Sequence, residues 1–254
     1  PVISIVVDTP ERIARIERQM REHLKTGRLL IDVAGVRVGQ VNGMAFYDVE
    51  DACFGMPARI SATCAAGRSG VVNIEREAEL SGSIHDKGML ILSGFLASTF
   101  AQDKPLSLQA NIAFEQSYAT VDGDSASLAE LLALLSALSD VPLRQDIAIT
   151  GSLNQRGGVQ PVGGVSEKIE GFFRTCDALG MSGTQGVILP AQNVPDLHLP
   201  LDVCAAIEAG RFHVYAVVEY SEALAIMTGR PVAEILRLAD RRLTHYAEVV
   251  RDYS

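Results

Sequence analysis

The sequence has 254 residues, which is enough to build a sizeable core in one large domain or two small ones. Hydrophobic residues make up 48% of it and charged residues 21%, a balance that excludes a disordered chain. Acidic residues outnumber basic ones by 31 to 22, giving a net charge of -9. This excess repels phosphate groups, so neither nucleic acid nor an anionic membrane is predicted as a partner.

The cysteine pattern and the absence of long apolar runs narrow the cellular setting. The four cysteines form no C-x-x-C pair and have no histidine at metal-ligand spacing, which predicts free thiols, no bound metal and a reducing, cytoplasmic location. No run reaches the roughly 18 apolar residues of a membrane helix, and no signal peptide is present. Since the sequence starts at Pro1 without Met, we expect a processed product or a fragment.

The hydrophobic pattern predicts an α+β fold. A first helix is expected to begin after Thr9 and to end at Gly27. Strands are predicted at 29–33, 36–46, 58–64, 70–74, 109–118, 147–153, 186–189 and 213–218. Further helices are predicted at 84–100, 125–138, 165–179, 202–208 and 221–227, and a last one after Pro231. Strands that come first and mixed units that follow favour one α+β domain with flanking helices.

The segment 121–127, Val-Asp-Gly-Asp-Ser-Ala-Ser, is a turn that runs directly into an apolar helix. The hydroxyl of Ser125 therefore lies near a helix N-terminus. There, unpaired backbone N–H groups, with Gly123 among the candidates, can hold an oxyanion. Serine and aspartate are also the preferred N-cap residues, so a simple helix cap explains the turn as well.

A glycine-rich turn at 157–164 leads Lys168 into the first turn of the next helix. Gly158 and Gly163 have the spacing of a phosphate-binding loop, but Gly164 and Val165 stand where that loop needs Lys and Ser or Thr. A lysine near a helix N-terminus is disfavoured by the dipole, and shielding it from water lowers its pKa enough for it to act as a base. The alternative is a surface lysine whose amine is solvated.

Taken together, the two features predict a Ser–Lys dyad, in which a neutral amine accepts the proton of a serine hydroxyl. Ser125 is the candidate nucleophile and Lys168 the candidate base. The predicted strand 147–153 lies between them in the sequence and carries Thr150, a candidate to orient the lysine by a hydrogen bond.

The order of these motifs resembles the proteolytic domain of Lon proteases. The matching stretches are 39–45, 122–127, 148–153, 158–168 and 187–193. Asp124 and Ser127, where the common bacterial enzymes carry Pro and Gly, are similar to the LonB-like branch. The resemblance divides the chain into an N-terminal helical linker segment at 1–34, a Lon-type proteolytic domain at 35–229 and a C-terminal helix at 230–254.

The resemblance implies a serine endopeptidase that hydrolyses unfolded or damaged proteins through an acyl-enzyme. Ser125 matches the family's nucleophile, Lys168 its base and Thr150 the residue that supports the lysine. Asp122 and Asp124 flank the serine and are carried over as modulators of the lysine.

The resemblance also implies a homo-oligomer, a ring-shaped hexamer, that acts on polypeptide substrates and is joined to an ATPase. The sequence contains no Walker A motif. We therefore expect no cofactor in this chain, with ATP acting only through an ATPase region outside it.

Three alternatives stay open at this point. The chain resembles a family in which catalytically silent scaffold or assembly modules also occur. A Ser-His-Asp hydrolase would pair Ser125 with Asp196 and with His198 or His213, although the segment 123–127 lacks the final Gly of a nucleophile elbow. The third alternative is nucleotide binding by the glycine-rich turn.

Overall fold

The computed structural model describes residues 18–19, 21–49 and 52–253. The strands β1 to β11 are Val36–Arg37, Gln40–Val49, Ala52–Ala66, Gly70–Asn73, Leu108–Phe114, Leu143–Arg144, Ile147–Ile149, Ser152–Leu153, Val159–Gln160, Gly186–Pro190 and His213–Val217. The helices α1 to α7 are Ile74–Glu77, Ser83–Phe100, Ser127–Ser139, Val165–Leu179, Leu201–Glu208, Tyr220–Thr228 and Val232–Asp252, and a 3-10 helix spans Ala191–Asp196.

Seven strands form one mixed sheet in the order β11-β10-β7-β2-β3-β5-β4. The first four strands in this order are parallel to one another, β3 is antiparallel to both β2 and β5, and β4 is parallel to β5. A mixed sheet with packed helices confirms the predicted α+β class.

Apolar side chains cover both faces of this sheet. On β7, Ile147 and Ile149 pack into a larger core with α2, α3, α6 and α7. Ala148, between them, packs into a smaller core with α4 and α5. Successive residues of a strand point to opposite faces, so the sheet lies between these two helical layers.

Helix α3 is the most deeply buried of the helices that the structure describes. All of its residues except Ala137 are buried, and its leucines have no measurable exposure. A helix that is apolar on all sides belongs inside a domain, where it cannot move without disturbing its packing. The turn that precedes Ser127 is therefore attached to a fixed element.

The C-terminal helix α7 packs into the larger core. Ile235, Ala239, Leu243 and Tyr246 are buried along one face, and the Tyr246 hydroxyl donates a 3.3 Å hydrogen bond to the Cys64 carbonyl. The predicted boundary at 230 stays a prediction, but this helix shares its core with the rest of the domain.

Most predicted elements are present with shifts of a few residues at their ends, and three differ. The predicted strand 29–33 is irregular. The predicted strand 36–46 divides at Gly39, whose φ of +67° suits glycine, into β1 and β2. The predicted strand 147–153 divides into β7 and β8.

The first predicted helix lies only partly within the described residues. Residues 21–25 are helical, and Leu24 is buried in the smaller core. Gly27 follows with a φ of +68°, as expected at a helix end. The predicted start at Thr9 lies outside the described residues. Of the helices that the structure describes, none combines the length and the apolar character that crossing a bilayer requires.

Candidate active site

The backbone of Ser125 is fixed by the segment that joins β7 to β8. The Ser125 carbonyl accepts hydrogen bonds from the Gly151 N–H at 2.8 Å and from the Thr150 hydroxyl at 3.2 Å. The helix predicted to begin at 125 begins at Ser127 instead, after Ala126 as N-cap. Ser125 therefore lies just before the helix, and its hydroxyl does not serve as a cap.

Ser127 explains this difference at the helix start. Its hydroxyl donates to the Asp124 carbonyl at 2.9 Å and accepts the Leu153 N–H at 3.0 Å. Ser127 thus holds the turn against β8, and the hydroxyl of Ser125 remains for a different partner.

That partner is Lys168, in the first turn of α4. Its side chain is only 2% exposed. Its Nζ donates to the Ser125 Oγ at 3.0 Å and to the Thr150 Oγ1 at 3.2 Å. The structure thus brings together the three side chains named for the dyad and its support, and it excludes a solvated surface lysine.

Burial lowers the pKa of Lys168 from its ordinary value to about 8, while the negative charges of Asp124 and Glu167 oppose this shift. The dipole at the start of α4 also disfavours an ammonium group. With a pKa near 8, about one amine in ten is neutral at pH 7, which is enough to supply a general base.

The two aspartates of the motif have different surroundings. Asp124 accepts a 2.7 Å hydrogen bond from the Ser152 hydroxyl, and its charge raises the pKa of Lys168. Asp122 is exposed and accepts the backbone N–H groups of Gly123 at 2.8 Å and Ile84 at 3.3 Å. Only Asp124 is therefore placed to influence the lysine, whereas Asp122 holds the turn.

The donors that remain for an oxyanion are two consecutive backbone N–H groups, those of Ser125 and Ala126. The Gly123 N–H is engaged by Asp122, and glycine suits this position because its φ is +89°. Among the described residues, no acceptor takes the backbone N–H of Ser125 or of Ala126. These two N–H groups are thus available to a ligand.

Ser125 and Lys168 both line a cleft of ≈ 500 Å³. Its walls are the turn 121–126, the β2 segment 44–47 and the turn 161–164. The cleft therefore presents the hydroxyl and amine to a bound chain.

Close packing of the α4 backbone against the β3 backbone fixes the helix that carries Lys168. The sequence analysis did not predict this contact. A Cβ at Gly55 of β3 would collide with the Glu167 carbonyl and lie 2.5 Å from the Lys168 Cα. A Cβ at Gly171 of α4 would collide with the Gly55 carbonyl. A lone glycine inside a strand is the available signal, because it often marks a close approach of backbones.

We expect Gly171→Ala to destabilise the protein and to slow any reaction that uses Lys168. Alanine is usually better than glycine inside a helix, but here the added methyl group must push α4 away from β3, at a cost of about 1–3 kcal/mol. Gly94→Ala in α2 is the matched control, because its methyl group would meet only the end of the Gln155 side chain, at 3.0 Å. Denaturant unfolding measures the stability of both variants. Equal stability of Gly171→Ala and the wild type would contradict the packing argument.

The alternative sites are not assembled. His198 Nδ1 lies 2.9 Å from the Asp196 carbonyl oxygen, and His213 Nε2 lies 2.9 Å from the Gly183 carbonyl oxygen. Within the part of the chain that the structure describes, no histidine hydrogen-bonds Ser125. Residues 159–160 of the glycine-rich segment form β9, paired with β8, so only the turn 161–164 leads into the N-terminus of α4.

Several known proteins are similar to this chain in sequence. Residues 97–227 match the family model described as the Lon protease (S16) C-terminal proteolytic domain. The chain is similar to a putative Lon protease homolog of Escherichia coli (strain K12), 44% identical over 214 residues, which is 84% of this chain and 36% of that protein. A putative Lon protease homolog of Haemophilus influenzae is 41% identical over 221 residues, covering 86% and 37%.

An archaeal Lon protease of Pyrococcus abyssi is 33% identical over 179 residues, covering 70% of this chain and 17% of that protein. The chain thus spans little more than a third of the length of the two bacterial relatives. These matches confirm the resemblance seen in the sequence motifs. Because the family model covers just over half of the chain, the chain belongs to the Lon protease (S16) C-terminal proteolytic domain family.

Proposed function

We propose that this chain is a serine endopeptidase that cleaves unfolded polypeptides through a Ser125–Lys168 dyad. The observation that carries the proposal is the Lys168 amine, buried from solvent and 3.0 Å from the Ser125 hydroxyl. Burial of an amine without a carboxylate partner costs stability, and a protein that used this domain only as a scaffold would gain nothing from it.

The reaction follows from the hydrogen bonds of the dyad. The neutral Lys168 amine takes the proton of Ser125 as its oxygen attacks the peptide carbonyl, and the resulting ammonium gives that proton to the leaving amine. The acyl group is then bound to Ser125 as an ester, which water hydrolyses with Lys168 again as the base. Thr150 orients the amine, and the N–H groups of Ser125 and Ala126 stabilise the negative oxygen.

The cleft supports an extended polypeptide as the substrate. The Ser125 side chain is half-buried between a turn and a strand, so a scissile peptide must leave its own secondary structure to reach the hydroxyl. Unfolded or damaged proteins meet this requirement, whereas a compact domain does not.

Assembly, ATP use and location are part of the proposal as well. We propose a homohexameric ring that acts in the cytoplasm together with an ATPase region outside this chain. Membership of the Lon proteolytic domain family supports a Lon-type assembly. The charge of -9 repels other copies, so we expect the contacts between subunits to be largely apolar.

Trapping the acyl-enzyme tests this function. The protein is mixed with casein, an unfolded protein, and quenched in acid during turnover. Mass spectrometry of the peptide that contains Ser125 should then show an adduct of the acyl portion of the substrate. A compact, disulfide-bonded protein serves as the control substrate and should remain intact. Binding of casein with neither cleavage nor an adduct would instead favour a catalytically silent scaffold.

A further inference from the structure

Three buried titratable side chains lie behind the nucleophile turn, and the proposed reaction uses none of them. Glu75 of α1 is 5% exposed, while His85 of α2 and Glu130 of α3 are each 1% exposed. Glutamate is almost never fully buried without a partner, so a group of two glutamates and a histidine inside the core calls for a physical explanation.

The polar atoms of this cluster are incompletely satisfied. His85 Nε2 lies 3.6 Å from Glu130 Oε1, and neither atom has a hydrogen-bond partner among the described residues. Glu75 Oε1 accepts the Phe114 N–H at 2.7 Å, and Glu75 Oε2 also has no partner among the described residues. An unpaired buried donor or acceptor is costly, and the imidazole and the Glu130 carboxyl group lie close enough to satisfy each other after a small approach. One proton between them achieves this.

His85 connects the cluster to the nucleophile turn. A hydrogen bond with the Gly123 backbone raises the pKa of His85, and the N–H of the neighbouring Ile84 donates to the Asp122 carboxylate at 3.3 Å, so the start of α2 is held against the turn. The Glu130 N–H donates to the Ala126 carbonyl at 2.9 Å, but this is an ordinary helix hydrogen bond that does not depend on the side chain. Gly123 lies two residues before Ser125, so a shift of His85 would move the nucleophile, and the Glu130 side chain acts on the turn only through His85.

The surrounding charges favour one shared proton. Burial lowers the pKa of His85, opposed by Glu75, the Gly123 carbonyl and two further aspartates, Asp86 of α2 and Asp122 of the turn. Burial, and then repulsion from Glu75, raise the pKa of Glu130 to about 8. At neutral pH the imidazole is therefore neutral and Glu130 retains its proton, which makes the carboxyl group a donor and Nε2 an acceptor.

We propose that His85 and Glu130 are positioning residues for the nucleophile. The Glu130 carboxylic acid donates to His85 Nε2, and this leaves the other imidazole nitrogen protonated to hold the Gly123 carbonyl. No bond is made or broken in the cluster, and neither side chain touches the substrate. The proposal rests on the proposed function only in that the positioned hydroxyl is the one that attacks the peptide.

The kinetic test compares two substitutions of Glu130 in the whole chain. Glu130→Gln keeps an N–H donor toward His85, whereas Glu130→Leu removes it. We expect Glu130→Leu to lower kcat for a peptide substrate about tenfold with little change in KM, because a slightly displaced nucleophile loses its attack geometry. Glu130→Gln should stay within about threefold of the wild type, since its amide restores the hydrogen bond. The control Glu77→Leu makes the same substitution at an exposed position of α1.

A second measurement does not depend on catalysis. Carboxyl carbon NMR of glutamate-labelled protein in a Ser125→Ala background should show one protonated side-chain carboxyl group at pH 7, and Glu130→Gln should abolish that signal. Equal kcat values for the Gln and Leu variants would overturn the positioning role, and fully ionised carboxyl groups at pH 7 would overturn the proton assignment. A wild type without peptidase activity would contradict the proposed function instead, and the NMR signal would still decide the proton.

Discussion

Replacing Lys168 with methionine is expected to abolish peptide hydrolysis and to leave the fold intact. Methionine matches the length and the apolar stem of lysine but provides no base, so Ser125 must attack as a poorly nucleophilic hydroxyl. We expect a loss of at least about 10³-fold in kcat/KM, as is typical when one member of a nucleophile–base pair is removed. Ser125→Ala should lose as much, and the double variant should be no worse than either single variant.

The stability of Lys168→Met separates a catalytic from a structural role. Burial holds the pKa of Lys168 at about 8 in the folded protein, below its ordinary value of 10.5. The unfolded chain therefore binds more protons between these values, and Lys168 destabilises the fold most below pH 8. Methionine removes this cost, so the variant should unfold at an equal or higher denaturant concentration.

Two further lysine variants complete the experiment. Lys168→Arg retains the positive charge but cannot lose its proton, so it should also be inactive if the lysine acts as a base. Lys87→Met, at an exposed position of α2, removes a lysine charge away from the cleft and should keep full activity. The assay is cleavage of a fluorogenic peptide and of casein. More than a tenth of the wild-type rate in Lys168→Met would rule out the dyad.

Local sequence signals predicted the elements of the site but not the contacts between them. The helix predicted at 165–179 has the bounds of α4, because the glycine-rich turn and the apolar spacing define both ends. The distance from Lys168 to Ser125 depends on the two-glycine contact between α4 and β3. No periodicity in the sequence reports a contact between residues so far apart in the chain.

The wrong prediction of a strand at 29–33 shows another limit of prediction from sequence. Four of its five residues are apolar, and Ile31 and Val33 are buried whereas Leu30 is exposed. The backbone, however, is satisfied by side chains rather than by a neighbouring strand. Gln116 Oε1 accepts the Leu30 N–H at 2.7 Å, and Asn42 Nδ2 donates to the Asp32 carbonyl at 2.8 Å. An apolar run predicts burial but does not identify the hydrogen-bond partner of the backbone.

Glu130 was visible in the sequence as a charge inside an apolar helix, yet its role was not. A single charged residue in such a segment indicates a buried polar group, and His85 is the partner that would have explained it. The two lie on different helices, and the intervening segment contains the strand β5 and the nucleophile turn. The sequence therefore indicated an anomaly that only the packing of α2 against α3 explains.

Peptide hydrolysis should rise with pH through about 8 and fall about tenfold for each unit below it, because only the neutral Lys168 amine accepts the serine proton. At pH 6 the rate should be about 100-fold below its plateau. The measurement is kcat/KM for a peptide without titratable groups. A Ser-His-Asp enzyme would reach its plateau near neutral pH, since histidine ordinarily titrates near 6.5.

The negative charge of Asp124 provides a directional test of the same prediction. This carboxylate raises the pKa of Lys168, and Glu167 does so to a lesser degree. Asp124→Asn keeps an acceptor for the Ser152 hydroxyl but removes the charge, so the midpoint of the rate profile should move to lower pH. Glu167→Gln should move the midpoint in the same direction by less.

Because the Glu130 carboxylic acid titrates in the same range, each pH profile is repeated in Glu130→Gln, where only the amine changes charge. A rate that stays flat down to about pH 5, or a midpoint that Asp124→Asn moves upward, would show that Lys168 is not the base.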